Sequence, residues 1–397
     1  MAQVGEVERQ RIMVPLDLPG VQVVAQRMTA TAIEVTVVPT DVGATCPGCG
    51  RRTTKQHDAR PRAKADAPLG DRQVTMIVVR RRFRCLGCGR LFTEPDTVAG
   101  PRRRLTARLR ERLGREGVRQ PVAHVADGYG VSPTTVRRAV QDHATTAFER
   151  RPIGEVQHLG IDDFSLRRGR RYATGLHDLD GRRMIEVVEG RTSAAAQAAL
   201  RCLLVPDAVA AVSMDMSQAY RAAVQLVLPQ ALITADKFHV IARVNEALTG
   251  VVNRLMRGRK RNDPVRRAAR LVLHNREDLD AAAWEHLTPV LRQTPDLRRA
   301  WLLKEDLRRW YRTATAATAR LELRAWQRMV AATATLPELQ ALGHMLTSWG
   351  EEILNYFTTR VTQGVVEGKN QRAKVIQRQA YGYRNFTNYR VRLLLAS

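Results

Sequence analysis

Four of the five cysteines fall into two Cys-x-x-Cys pairs, Cys46-Pro-Gly-Cys49 and Cys85-Leu-Gly-Cys88. No other feature limits the possible folds of the chain as strongly. Each pair sets two thiolates on one tight turn, and Gly48 and Gly87 give that turn the backbone freedom it needs. Two such knuckles brought together form a closed four-sulfur site suited to structural Zn2+, with no position left for a substrate. The 35 residues between the pairs exceed the usual spacing, but strands within them can fold back as a ribbon. A redox role would need a helix starting after the first cysteine, and Pro-Gly followed by Gly50 or Gly89 opposes one. His57 is a candidate ligand but reads better as a solvated side chain, and Cys202, on an Ala/Leu helix, reads as core.

Charge narrows the partners. Lys and Arg number 65 against 39 Asp and Glu, a net charge of +26, which favours a polyanion, nucleic acid first. Only seven of the basic residues are Lys. Arg makes forked contacts to phosphate and guanine that Lys cannot, although a GC-rich genome would enrich Arg as well. Residues 1–15 hold no apolar core of signal-peptide length, and no stretch approaches a membrane span. The expectation is a soluble cytoplasmic protein, associated with the bacterial nucleoid, without a membrane partner.

Composition shifts divide the chain. Residues 1–98 alternate apolar and polar (21–24, 32–38, 74–79) and read as short strands around the cysteines. A Pro/Gly/Arg stretch at 100–104 leads into a helical zone ending near residue 151, giving a second domain at 99–152. From residue 153, strands alternate with Ala-rich helices: strands at 156–162, 172–178 and 184–188, a helix at 193–204, a strand at 209–215, a helix from Gln218 and a strand at 232–236. Helical periodicity then fills about 240–357, where the five Trp read as core anchors.

Residues 122–140 have the layout of a DNA-reading helix pair. Val122, Val125 and Ala126 form one inward stripe; Val131, Val136 and Val140 form its complement. Gly130 suits the turn, Ser132 the N-cap and Pro133 the first helical position. Thr134, Thr135, Arg137 and Arg138 then face outward, toward base edges or phosphates. Arg81, Arg82 and Arg84, abutting the second knuckle, are candidate phosphate contacts.

Asp162 ends the first strand of the alternating zone and Asp215 the fourth. Three strands followed by helix, strand, helix, strand is the RNase H-like pattern, in which the first and fourth strands are neighbours whose terminal carboxylates can share metal ions. Glu367, on a later helix, is placed to be the third acid. Two Mg2+ ions, or Mn2+ in their place, prefer such hard oxygens and serve phosphodiester chemistry. On spacing alone the arrangement is not distinctive, because any α/β protein carries Asp at strand ends.

Nearly the whole length, however, resembles insertion-sequence transposases of the ISL-three family, within the DDE transposase superfamily. The resemblance runs from the double Cys-x-x-Cys ribbon and helix-turn-helix through Gly160-Ile-Asp-Asp-Phe164 and Ala235-Asp-Lys-Phe-His239. It ends with Glu367-Gly-Lys-Asn370 and Ala380-Tyr-Gly-Tyr-Arg-Asn-Phe386. It implies that Asp162, Asp215 and Glu367 are the catalytic triad, with Asp163, Asp236 and His239 in accessory positions. It also implies an RNase H-like domain over 153–397 interrupted by an all-helical insertion, and DNA as partner, both terminal inverted repeats and target. Joining two ends implies a homodimer or higher oligomer. The usual approach to the Glu motif, Ser-Asn-Gly, is here Thr362-Gln363-Gly364; the change is expected to alter local packing only. The basic, aromatic tail after Glu367 reads either as a helix packed on the sheet or as a contact for the strand entering the site.

Overall fold

The computed structural model describes residues 18–150, 153–167, 169–333 and 335–396. Residues 1–15, read above for an export signal, lie outside them. The chain falls into two compact units, 1–148 and 149–397.

The described residues of the first unit form seven strands and three helices: β1 (Val21–Met28), β2 (Ala32–Pro39), β3 (Ala44–Thr45), β4 (Arg52–Thr53), β5 (Gln56–Leu69), β6 (Arg72–Arg84), β7 (Leu91–Thr93), α1 (Ala107–Arg119), α2 (Val122–Gly128) and α3 (Pro133–Arg150). The main sheet runs β1-β2-β6-β5, with β7 beside β6, while β3 and β4 pair apart from it. Period-two alternation buries Ile33, Val35 and Val37 of β2 against Val74, Met76 and Val78 of β6. The long β5–β6 hairpin returns the chain so that the second cysteine pair meets the first. β5 was not expected, since its sequence QHDARPRAKADAPL has no β-branched residues and alternates only small Ala or Pro with charged residues. Its inward side chains are Lys64 and Asp66, both buried. Lys64 pairs with Asp96 at 2.9 Å. Asp66 accepts from Thr106 Oγ1 at 2.6 Å and from Arg108 Nε at 2.8 Å, which ties the start of α1 to the sheet.

The three helices share a core of Leu109, Leu113, Val125, Val136 and Val140. α1 and α3 touch so closely that a Cβ on Gly117 would sit 2.5 Å from Val140 Cγ2. Ser132 caps α3 as expected, its Oγ accepting from the Thr135 N–H at 3.2 Å, and Gly130 takes a φ of +59° in the turn.

In the second unit a five-stranded sheet is built from β8 (His158–Arg167), β9 (Arg171–Asp178), β10 (Arg183–Glu189), β11 (Ala211–Met214) and β12 (Leu232–Ala235), in the order β10-β9-β8-β11-β12. β8 and β11 are parallel neighbours, as the strand pattern required. Two boundaries here differ from expectation by four residues or more. β8 does not end at Asp162 but continues to Arg167, because its hairpin with β9 persists after β11 stops at Met214. The helix after β10, α4 (Ser193–Leu200), stops four residues early in a tight turn, so Cys202 lies beyond it, half-buried against the core. Burial pushes its thiol up to about 11.

α4 and α5 (Gln218–Val227) pack with Leu159, Ile161, Val212 and Met214. The opposite parity of β8 meets other helices: Phe164 packs with Ala373, Tyr389 and Leu393. Those residues belong to α13 (Gly364–Gln379) and α14 (Phe386–Ala396). Between β12 and α13 come α6 (Lys237–Leu255), α7 (Pro264–Ala269), α8 (Ala281–Gln293), α9 (Pro295–Thr313), α10 (Ala319–Ala331), α11 (Pro337–Ser348) and α12 (Gly350–Thr359). These build their own core, in which Trp301, Trp310, Trp326 and Trp349 are buried. Trp310 and Trp326 donate to the carbonyls of Ala319 and Leu303. No helix of the described residues is long and apolar enough to cross a membrane.

Candidate active site and metal centre

The two knuckles are near-copies. In each, the first cysteine accepts an N–H bond at Sγ from the glycine two residues on: Gly48 to Cys46 at 3.4 Å, Gly87 to Cys85 at 3.3 Å. In each, the glycine after the second cysteine turns at positive φ, +73° at Gly50 and +72° at Gly89. All four sulfurs lie within 4.8 Å of one another. Across the knuckles Cys46 and Cys88 are 3.7 Å apart, Cys49 and Cys85 3.5 Å. A tetrahedral ion with bonds of about 2.3 Å would space its sulfurs by roughly 3.8 Å, so the cluster fits a structural zinc. The backbone N–H groups of Cys88 and Gly87 bring the Cys85 thiol down to about 6, while Cys49, where the Arg51 N–H is outweighed by the neighbouring sulfurs, is pushed up to about 11. His57 is not in the cluster.

The acids gather where β8 parts from β11. Met214 and Ile161 are the last parallel pair, and Asp215 and Asp162 follow directly. Successive residues of a strand face opposite ways. Asp162 therefore shares the parity of Gly160 and Phe164, toward α13, where Asn370 Nδ2 donates to its Oδ2 at 2.8 Å. Asp163 turns to α5, with Tyr220 Oη 3.5 Å away. Even so, carboxylate oxygens of Asp162, Asp163 and Asp215 lie within 4.8 Å of one another. Asp163, expected only as an accessory group, thus sits among the candidate ligands.

Glu367 does not join that group. It is exposed on the first turn of α13, one turn before Asn370. It nevertheless lines the same cleft of ≈ 220 Å³ as Asp162, Asp163, Asp236, His239 and Lys374. Asp236 is buried and caps α6, its Oδ2 accepting from the N–H groups of Phe238 and His239 at 3.2 and 3.3 Å. Sequence reasoning missed the role of Gln363, 4% exposed, whose amide donates to both acid-bearing strands. It missed Asn370 too; the family motif contained the residue but gave it no partner.

Burial pushes Asp162 up to about 7; the Asp163 N–H opposes the rise and the charge of Asp215 adds to it. Burial raises Asp215 and Asp163 as well. Carboxylates so close resist ionising together unless a cation joins them. Asp215 Oδ1, Gln363 Oε1 and Asn370 Oδ1 are buried and have no hydrogen-bond partner among the described residues. Of these, the Asp215 oxygen stands among the clustered acids, where an unpaired hard oxygen suits a divalent cation.

A pH dependence follows. An unfolded Asp titrates near about 4, so the folded chain holds the Asp162 proton more tightly. That stabilising contribution is complete below about 4 and is lost as pH rises through about 7. Metal binding opposes the loss. The rise in melting temperature on adding Mg2+ should therefore be larger at pH 8 than at pH 6, and Asp162→Asn should flatten the difference. A pH-independent rise in wild type would contradict this origin.

The candidate DNA contacts divide. Thr134, Arg137 and Arg138 are exposed on α3, while Thr135 is partly buried, its Oγ1 2.9 Å from Ser132 Oγ. Arg84 is exposed. Arg82 pairs with Asp58 at 3.0 Å. Arg81 is largely buried against Glu94 at 2.7 Å, an occupation that leaves it little to offer a phosphate. Of the two readings of the tail, packing on the sheet is the one seen, and its other basic side chains are left exposed. Tyr383, Phe386 and Tyr389 pack on the sheet and Arg390 pairs with Glu186, while Arg372, Lys374, Arg378 and Arg384 stay exposed.

Comparison with known proteins agrees with this geometry. A transposase family profile of the ISL3 (ISL-three) type, within the DDE class, matches residues 159–393. A second profile, the zinc-finger of transposases IS204, IS1001, IS1096 and IS1165, matches residues 43–88. The chain is 28% identical over 361 residues to the transposase for insertion sequence element IS1001 of Bordetella parapertussis, covering 89% of this chain and 88% of that protein. The family carries an RNase H-like catalytic domain, in keeping with the sheet order, and the carboxylate cluster lies within the matched region. The chain belongs to the ISL3 family of DDE transposases.

Proposed function

We propose that the chain binds the terminal inverted repeats of its own insertion sequence, then cuts there and joins the freed ends to target DNA. Asp162, Asp215 and Glu367 would hold two Mg2+ or Mn2+ ions. The observation that carries this reading is the meeting of Asp162 and Asp215 at the split between neighbouring strands, with Glu367 lining the cleft that Asp162 lines. Ions held there would activate the attacking oxygen and stabilise the leaving one. Asp163 lies close enough to share in holding them, and Glu367 makes no ion pair among the described residues that would keep it away. Water attacks the phosphodiester, the O3′–P bond breaks, the phosphate stays on the new 5′ end, and the freed 3′ hydroxyl then attacks target DNA. Lys374, exposed in the cleft, offers a cation to the backbone phosphates.

Residues 1–98 serve as a zinc-ribbon module with one Zn2+ on Cys46, Cys49, Cys85 and Cys88. Residues 99–152 serve as a helix-turn-helix, and 153–397 as the catalytic domain with its helical insertion at about 240–357. α3 is the reading helix, with Thr134, Arg137 and Arg138 toward the bases and Arg84 toward phosphate. Pairing two element ends calls for a homodimer or higher oligomer, acting on DNA in the cytoplasm.

Arg137→Ala or Arg138→Ala should cost about 1–3 kcal/mol in binding to the element's ends and relax sequence preference at one position. Gel shifts on cognate and scrambled ends, repeated over a salt series, check this. If both variants keep full discrimination, α3 is not the reader.

A further inference from the structure

Gln363 occupies the point where the two acid-bearing strands separate. Its Nε2 donates to the carbonyl of Ile161 at 2.8 Å and to that of Ser213 at 2.9 Å. Ile161 immediately precedes Asp162, and Ser213 lies two residues before Asp215. Beyond the pair Met214–Ile161 the ladder between β8 and β11 has ended. The carboxamide therefore bridges the strands where their own pairing stops.

The bridge is itself held from behind. The Gln363 backbone N–H donates to Asp236 Oδ1 at 3.0 Å. The other oxygen of Asp236 caps α6, and the Asp236 N–H donates to the Met214 carbonyl at 2.8 Å. Gln363 is also the residue before α13, the helix that brings Asn370 to Asp162 and Glu367 to the cleft. One buried residue thus joins β8, β11, the cap of α6 and the start of α13.

We propose that Gln363 is a positioning residue that sets the separation of Asp162 and Asp215, and through it the affinity of the cleft for a divalent cation. This rests on the metal-dependent reading of the site. Gln363 need not touch the ion. Its two N–H bonds fix where two strand ends carry their carboxylates, and such supporting groups typically change metal affinity about 10–100-fold when lost. A side chain of similar size without the amide would fill the space and leave the two carbonyls without their donor. Asn keeps the amide but is one methylene shorter, so from the same backbone position it cannot reach both carbonyls.

The test is Mn2+ binding to the full-length, zinc-loaded protein, followed by electron paramagnetic resonance, beside circular dichroism and a gel shift on element ends. Wild type should bind Mn2+, and Asp162→Asn should remove that binding. Gln363→Leu should weaken it about 10–100-fold while the protein stays folded and still shifts end DNA. Gln363→Asn should fall between the two. A folded Gln363→Leu protein with wild-type Mn2+ affinity would overturn the proposal and leave Gln363 a packing residue. Should the Leu protein fail to fold, the Asn protein decides, wild-type affinity again overturning the proposal. Wild-type protein without an Asp162-dependent Mn2+ site would instead defeat the metal-dependent reading itself.

Discussion

Asp162→Asn and Asp215→Asn should each abolish strand cleavage while leaving binding to the element's ends intact. These swaps keep shape and remove one negative charge from a site that must hold cations. Both acids directly follow the last paired residues of β8 and β11, and their carboxylates meet in one cluster. Metal stabilisation of a phosphoryl transition state amounts to several kcal/mol. A loss of roughly a thousandfold or more is therefore expected, at about tenfold per 1.4 kcal/mol. Glu367→Gln should behave alike if α13 swings its carboxylate onto the ions. Asp163→Asn separates two cases: a fall of about 10–100-fold marks a supporting group, and a fall as deep as that of Asp162→Asn marks a ligand. Cleavage of a labelled end, run beside a gel shift on the same DNA, reads all four. Full cleavage by Asp215→Asn would remove the strand-end pair as the catalytic centre.

Removing the knuckle metal should have an equally large effect on the first unit. Cys46 and Cys85 are buried, and with Phe83 and Phe92 they form a small core of their own. The metal would therefore hold together a region with little other apolar packing. Structural zinc in small domains contributes about 10–16 kcal/mol of apparent binding energy at neutral pH. Cys85→Ser, or prolonged chelation, should unfold the region around the knuckles and abolish end binding. The helical core of the second unit, packed around four buried Trp, should keep its circular dichroism signal. Metal analysis, limited proteolysis and gel shifts follow the outcome. Retention of both fold and zinc by the Cys85→Ser protein would exclude the four-sulfur site.

The sequence made some of this legible because some elements carry their own pattern. β8, β9, β10, β11 and β12 are apolar runs bounded by turns, and their order alone brought Asp162 beside Asp215. The knuckles were legible because Cys and Gly at fixed offsets allow few alternatives. β5 was not, since its inward positions are Lys64 and Asp66, which are buried only because Asp96, Thr106 and Arg108 meet them from distant parts of the chain. Gln363 was noticed as a departure from Ser-Asn-Gly and credited with packing alone. Nothing in linear order shows that its amide reaches carbonyls 150 and 202 residues away. Arg81 looked like a phosphate contact beside its neighbours until Glu94 was seen to hold it. Asp163 was given only an accessory place by the family resemblance, yet its carboxylate closes on the same point as the other two.

The central claim, metal-dependent cleavage at the element's own ends, is tested most directly on wild-type protein. DNA carrying one labelled end would be incubated with Mg2+ or with excess chelator and resolved on a denaturing gel. The expected result is a cut at the end of the inverted repeat that leaves a 3′ hydroxyl, appears only with the divalent ion and carries no attached protein. A cut that persists in chelator, or a strand left covalently joined to the protein, would contradict it.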